Sequence, residues 1–122
     1  MSCQLNIPEN IHLVFKNKIK EVSNILVENA LDLEMDELWL FGSVARGDYT
    51  ATSDVDLLVL TSSKQEHKIS LKVEFLELRN DIDYPNVDII VRNKSSLQKE
   101  NDYLFNKLVK KDKIILWRNV NG

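Results

Sequence analysis

The sequence predicts an α/β fold in which helices flank a small mixed sheet, with the elements in the order αβαβαβαβ. Two patterns predict this fold: apolar residues recur at helical spacings of three and four, and short continuous apolar runs separate the helical segments. Runs of this length suit strands that are buried on both faces. Because the chain has 122 residues and no linker-like stretch, we expect one domain spanning residues 1–122.

The first two elements are a long helix and a short strand. We predict the helix over residues 9–33, close to Pro8, a residue type favoured in a first helical turn. Its apolar stripe consists of Ile11, Phe15, Ile19, Val22, Leu26, Ala30 and Leu33. The strand covers residues 38–41 and ends at Gly42.

The remaining elements alternate in the same way. Residues 43–48 suit one helical turn, and residues 55–60 form a second apolar run. Residues 64–83 fit both strand alternation and helical spacing; we choose a helix, because the stretch is too long for a strand and a crossover helix lets the next strand lie parallel. A strand over residues 87–91, a helix over residues 95–111 with Ser95 as its N-cap, and a strand over residues 114–117 complete the chain.

Charge and cysteine content exclude several classes of protein. Sixteen Lys and Arg against 19 Asp and Glu give a net charge of −3, so we expect no nucleic acid as a direct partner. The single cysteine, Cys3, cannot form an intramolecular disulfide, and no run approaches the ~18 apolar residues of a membrane helix. We therefore expect a cytoplasmic protein without a membrane partner. The lysines within residues 107–113 suit a solvated helix end, with an acidic partner surface or an RNA backbone as the alternative.

Three aspartates are the first candidate for chemistry. Asp54 and Asp56 are two residues apart at the start of a predicted strand, so both point to one face, where a divalent cation would relieve their repulsion. The segment from Asn86 to Val91 is similar to that from Asp54 to Val59, which makes Asp88 the equivalent of Asp56. If the two strands are parallel neighbours, these backbones lie about 4.8 Å apart. Three carboxylates favour Mg²⁺ or Mn²⁺, and two such ions clamp the oxygens of a phosphoryl or nucleotidyl transfer.

The second candidate is the segment that follows the first strand. Gly42 lets backbone approach closely, and Ser43 adds a hydroxyl and N–H groups at the start of a helical turn, as a triphosphate requires. Arg46 adds a fork of donors for phosphate oxygens, although a solvated surface charge is the alternative. Gly47 suits the turn that leads the chain toward Asp54.

At these residues the chain resembles the nucleotidyltransferase superfamily of DNA polymerase beta, whose pattern is Gly-Ser, about ten residues, Asp-x-Asp, and a later Asp on a strand. The Gly-Ser-x-Ala-Arg-Gly form of residues 42–47 is similar to that of the minimal nucleotidyltransferases. The resemblance covers nearly the whole chain. It implies the polymerase-beta-like fold and the transfer of AMP from ATP to an acceptor hydroxyl, with release of pyrophosphate.

The resemblance also implies a role for each residue. Asp54, Asp56 and Asp88 would bind two Mg²⁺ ions, with Mn²⁺ as a substitute, and Asp88 would also be the base for the acceptor hydroxyl. Ser43 would contact the β- and γ-phosphates of ATP. The nucleotide-binding group comprises Gly42, Ser43, Arg46 and Gly47.

The acceptor is open at this point. Many minimal nucleotidyltransferases resemble antitoxins that are encoded beside a HEPN ribonuclease toxin and adenylylate one of its tyrosines. A domain of this size has little room for an acceptor pocket, so we expect a partner protein, in a homo- or hetero-oligomer, to supply the hydroxyl. The alternatives are a small-molecule hydroxyl such as that of an aminoglycoside, and an antitoxin that acts by occlusion, with carboxylates that serve only turns or helix caps.

Overall fold

The computed structural model describes residues 5–76, 78, 84–98 and 103–120. Its helices are α1 (Leu13–Glu28), α2 (Gly42–Arg46), α3 (Glu66–Phe75) and α4 (Tyr103–Asp112), and its strands are β1 (Met35–Phe41), β2 (Val55–Thr61), β3 (Val87–Asn93) and β4 (Ile114–Arg118). A 3-10 turn covers Ser96–Gln98. The predicted α/β fold and the predicted order of the elements are confirmed.

The four strands form one mixed sheet in the order β3-β2-β1-β4. Strand β1 is antiparallel to both of its neighbours, whereas β2 and β3 are parallel and are connected through α3. This arrangement confirms the predicted parallel pair. Because β1 runs against β2, the end of β1 and the beginnings of β2 and β3 lie at the same edge of the sheet. That edge carries the residues singled out in the sequence.

The two faces of the sheet support separate layers. Alternate residues of β2, such as Leu57, pack into the main core with Phe15 and Ile19 of α1. The intervening residues, such as Leu58, belong to a second cluster that includes Val109 of α4. Three further members of that cluster are Trp39, Leu60 and Leu97. The aspartates at positions 54, 56 and 88 share the parity of Leu58, so they lie on the α4 face of the sheet.

Helix α1 is shorter than the predicted range of residues 9–33. It begins at Leu13 because the Nδ1 atom of His12 accepts a hydrogen bond from the Val14 amide at 3.1 Å, which caps the helix and leaves Pro8 outside it. It ends at Glu28, where the Asn29 amide bonds to the carbonyl of Leu26. The predicted apolar stripe, from Ile11 to Leu33, nevertheless packs in the core, with Ala30 partly buried against it.

The later helices also differ from their predicted ranges. Helix α3 occupies residues 66–75 of the predicted 64–83, of which residues 77 and 79–83 lie outside the described residues. The single helix predicted over residues 95–111 is instead a 3-10 turn and α4, with residues 99–102 outside the described ranges. Ser95, the predicted N-cap of that helix, lies instead in a turn between β3 and the 3-10 turn, where its amide donates to Asn93 Oδ1 at 2.8 Å. No helix in the described part of the chain has the length and apolarity to cross a membrane.

Candidate active site

Two aspartates lie side by side on the neighbouring parallel strands β2 and β3, at the edge of the sheet where these strands begin; we call this the site edge. Asp56 of β2 and Asp88 of β3 are register partners, as the similarity of the two segments predicts. Asp54 precedes β2 by one residue, two residues from Asp56 on the same face. Asp56 is half-buried, whereas Asp54 and Asp88 are exposed. The structure therefore brings together the three carboxylates singled out in the sequence at one edge.

The electrostatics of this cluster are unfavourable for a third negative charge. The pKa of Asp56 is raised from 3.8 to about 6, first by burial and then by the charges of Asp88 and Asp54. The charge of Arg46 acts in the opposite direction and lowers this pKa. A cation at the cluster would relieve the repulsion that raises it.

Gly42 is required by the position of Asp56. Its φ is +78°, a conformation that residues with a side chain rarely adopt. A Cβ atom at this position would overlap Oδ2 of Asp56 and would lie 3.1 Å from its Cγ atom. The register pairs Phe41 with Asp56, which places the next residue against the carboxylate. Only a glycine at the end of β1 leaves room for this carboxylate.

Helix α2 starts at Gly42 and presents Ser43 in its first turn. Val44 is 1% exposed and fixes this short helix against the main core. Gly47, with a φ of +89°, caps the other end, and its amide bonds to the Ser43 carbonyl at 2.9 Å. Apart from its chain neighbours, no atom of the described residues lies within 4 Å of a Cβ built on Gly47, so its conformation, rather than a close contact, calls for glycine.

The guanidinium of Arg46 is held by two acidic residues. Its Nη1 atom donates to Asp112 Oδ2 at 2.8 Å, and its Nε atom donates to Asp48 Oδ2 at 3.3 Å. The sequence identified Arg46 as a candidate for phosphate contact but did not identify either acid. Asp48 is a near neighbour, but Asp112 is 66 positions away and no sequence pattern pairs it with Arg46.

Tyr49 is a further residue that sequence reasoning missed. Its hydroxyl accepts a hydrogen bond from the His12 amide at 2.8 Å, which ties the loop before β2 to the start of α1. It borders two cavities: one of about 270 Å³ beside Arg46 and Gly47, and a mainly apolar one of about 220 Å³. The second is lined by Phe15, whose ring centroid lies 4.9 Å from that of Tyr49. Because Phe15 packs in the main core, this second cavity lies on the α1 side, away from the carboxylates.

The carboxylate cluster suits Mg²⁺ in the type and charge of its donors. Carboxylate oxygens are the ligands that Mg²⁺ prefers, and a cation would offset the charges of Asp88 and Asp54 that, after burial, raise the pKa of Asp56. Within the described residues, no group of three or more His, Cys, Asp or Glu side chains is already arranged around a common metal position. Ligation of one cation by all three carboxylates would therefore require rearrangement at the exposed side chains of Asp54 and Asp88.

Comparison with known proteins gives consistent results for most of the chain. Residues 19–114 match a family described as the nucleotidyltransferase domain. A protein of Methanocaldococcus jannaschii named "putative protein adenylyltransferase" is 35% identical over 78 residues, which cover 64% of this chain and 71% of that protein.

Two solved structures are also similar. A "putative nucleotidyltransferase" from Sulfolobus solfataricus superposes with a TM-score of 0.57 at 24% identity, over 89% of this chain and 90% of that one; this likeness shows the fold. A chain from a structure titled as a toxin–antitoxin with AMP-PNP has a TM-score of 0.46 at 20% identity, over 80% and 73% of the two chains. A TM-score this low supports no inference about the present chain.

Proposed function

Because this chain belongs to the nucleotidyltransferase domain family, we propose that it transfers AMP from ATP to a hydroxyl of a partner protein in a Mg²⁺-dependent reaction. The observation that carries the proposal is the arrangement at the site edge. Asp56 is in register with Asp88 and is packed so closely against Gly42 that no side chain fits there. A half-buried carboxylate with a raised pKa is costly for a fold, which supports a functional reason for its presence.

We assign the carboxylates to metal binding and the residues of α2 to phosphate contacts. Asp54, Asp56 and Asp88 would hold two Mg²⁺ ions, which neutralise phosphate charge and clamp the attacking and leaving oxygens when bound. The Ser43 hydroxyl, at the start of α2, orients the β- and γ-phosphates, and Arg46 adds donors beside it.

Bond changes occur at the α-phosphorus of ATP. The acceptor oxygen forms a bond to this phosphorus, the bond from phosphorus to the bridging α–β oxygen breaks, and pyrophosphate leaves with that electron pair. Asp88 would receive the hydroxyl proton, the role that the resemblance to the superfamily implies for the aspartate on β3. The product is a phosphodiester between AMP and the acceptor.

The acceptor we propose is a tyrosine of a HEPN-type toxin encoded nearby, with this chain as the antitoxin. Two observations support a protein acceptor. The Gly-Ser-x-Ala-Arg-Gly segment at residues 42–47 resembles that of the minimal nucleotidyltransferases. The relative from Methanocaldococcus jannaschii carries the name of a protein adenylyltransferase.

The direct test is a transfer assay with the neighbouring gene product as acceptor. The purified pair is incubated with ATP and Mg²⁺, and intact mass is expected to rise by about 329 Da for each AMP added. EDTA is expected to abolish the adduct, and so is the double variant Asp54→Ala with Asp56→Ala. Glu74→Ala, which removes an exposed carboxylate from α3, is the matched control and should leave the adduct unchanged.

Three outcomes would contradict the proposal. An adduct that forms equally well in EDTA would exclude the metal-dependent mechanism. If the double variant still protects cells from the partner at normal expression, occlusion rather than modification is the mechanism. Transfer of AMP to an aminoglycoside but not to the partner would assign the chemistry to a small-molecule acceptor.

A further inference from the structure

An ion pair outside the carboxylate cluster joins the ends of two helices. Arg46 is the last residue of α2, and Asp112 is the last residue of α4. Their side chains form an ion pair with 2.8 Å between Nη1 and Oδ2. The Asp112 side chain is only 11% exposed, compared with 64% for Asp48, the second acid on the same guanidinium. Of the two, Asp112 is therefore the better-ordered support.

Asp112 is in an unfavourable place for a carboxylate. The C-terminal end of a helix carries partial negative charge, so cations such as Lys110 and Lys111 are favoured in the last turn and an acid is not. Both lysines are exposed, whereas Asp112 is turned inward toward Arg46. Contact with a cation compensates the cost of this position, so the pairing with Arg46 explains why an acid is tolerated here.

The geometry of the pair leaves one side of the guanidinium available. Arginine has five N–H donors on a rigid plane, and among the described residues its two side-chain hydrogen bonds use Nε and Nη1. Fixing those two atoms fixes the plane and hence the direction of Nη2. Arg46 is also close enough to the carboxylate cluster to lower the pKa of Asp56.

We propose that Asp112 is a positioning residue that fixes the Arg46 guanidinium so that its Nη2 edge faces the terminal phosphates of the bound nucleotide. The inference rests on the proposed function, since it needs a nucleoside triphosphate in the site. Asp112 itself touches no substrate. It acts through Arg46, and through Arg46 it couples the end of α4 to the phosphate end of the site.

The test compares ATP and AMP binding, because AMP lacks the phosphates that Arg46 would contact. Affinities are measured by calorimetry in Mg²⁺ for the wild-type protein and for Asp112→Asn. We expect Asp112→Asn to weaken ATP binding by about three- to tenfold, as expected for a charge-assisted support, and to leave AMP binding unchanged. Asp48→Asn, at the longer and more exposed contact, is expected to weaken ATP binding by less than about threefold.

Further variants separate positioning from a general structural role. Asp112→Glu keeps the charge but moves the carboxylate, so it is expected to weaken ATP binding less than Asp112→Asn does and to leave AMP binding unchanged. If Asp112→Asn does not fold, this smaller, ATP-specific loss in Asp112→Glu is the readout. In an Arg46→Gln background, Asp112→Asn should cause no further loss of ATP affinity, because the residue acts only through Arg46. A merely structural role would instead weaken ATP and AMP binding alike and persist in that background.

The possible results distinguish this inference from the proposed function. If the wild-type protein binds ATP and transfers AMP while Asp112→Asn binds ATP equally well, the positioning role fails and the function stands. Tighter ATP binding by Asp112→Asn would also overturn it, since Asp112 would then compete with the phosphates for Arg46. If the wild-type protein binds ATP in neither the presence nor the absence of Mg²⁺, both proposals fail.

Discussion

Replacing Asp56 by asparagine should stabilise the metal-free protein at neutral pH. The pKa of this carboxyl is about 6 in the folded protein and near 3.8 in the unfolded chain. A carboxyl with a raised pKa stabilises the fold when it is protonated. That contribution is complete below the unfolded value and is lost as the pH rises through about 6. Asparagine keeps the shape of the side chain and has no charge to bury.

The size of the effect follows from the two pKa values. Each pKa unit corresponds to ~1.36 kcal/mol, so the interval from 3.8 to about 6 sets an upper bound of about 3 kcal/mol. Because Asp56 is only half-buried, solvent screening reduces this to about 1–2 kcal/mol. Relative to the wild-type protein, Asp56→Asn should therefore gain this free energy of unfolding as the pH rises from about 4 through about 6, and should keep the gain at higher pH.

Denaturant unfolding in EDTA, followed across that pH range for both proteins, measures the difference. At about 3–6 °C per kcal/mol for a chain of this size, a thermal melt would show the same trend. Glu74→Gln removes one charge from an exposed position of α3 and so measures the contribution of net charge alone. If Asp56→Asn and the wild-type protein have parallel pH profiles, burial and the neighbouring carboxylates do not raise the pKa of Asp56 and the reasoning is refuted.

Four further predictions concern the same edge of the sheet. Gly42→Ala and Gly47→Ala should each cost about 1–2 kcal/mol of stability, because both residues have a positive φ. Only Gly42→Ala displaces Asp56, so AMP transfer, compared at equal folded fractions, should fall far more for Gly42→Ala than for Gly47→Ala. Equal losses of transfer would contradict this. Ser43→Ala should slow single-turnover transfer by ~10–10³ while ATP still binds, and an unchanged rate would remove the hydroxyl from the mechanism. Asp88→Asn should stop transfer with little change in ATP affinity, and normal turnover would exclude Asp88 as the base. Mg²⁺-dependent ATP affinity should rise as the pH passes through about 6, because Asp56 must lose its proton to bind the metal, and a flat titration would argue against ligation by Asp56.

The strands, and the register between β2 and β3, could be predicted because their determinants are local. Apolar runs identify β1, β2 and β3, and the repeated pattern around Asp56 and Asp88 predicts which residues face each other. A one-residue shift would send one of these aspartates to the α1 face, where the main core lies. The hydrophobic pattern therefore specifies the site edge together with the fold.

The helix ends and the support of Arg46 could not be predicted in the same way. Helix α1 begins where the imidazole of His12 caps it, a role that is not typical of histidine. The partner of Arg46 depends on how α2 and α4 meet in the folded chain, and the sequence offers 19 acidic residues as candidates. The Tyr49 hydroxyl accepts a hydrogen bond from the backbone amide of His12 at the start of α1. Because every residue type except proline carries such an amide, the sequence does not indicate this partner.

Because Asp88 lies on an outer strand of the described sheet, the site can lose this carboxylate by local opening of β3. In the described sheet β3 pairs with β2 alone, whereas β2 is held on both sides. Detaching β3 breaks one ladder and removes Val87, Ile89 and Val91 from the main core, while the other three strands stay paired, so we expect its local opening to require less free energy than global unfolding. While β3 is detached, Asp56 and Gly42 keep their places and Asp88 is absent. Loss of the complete site and loss of the fold are thus separate equilibria, and amide hydrogen exchange in β3 would report the first without the second.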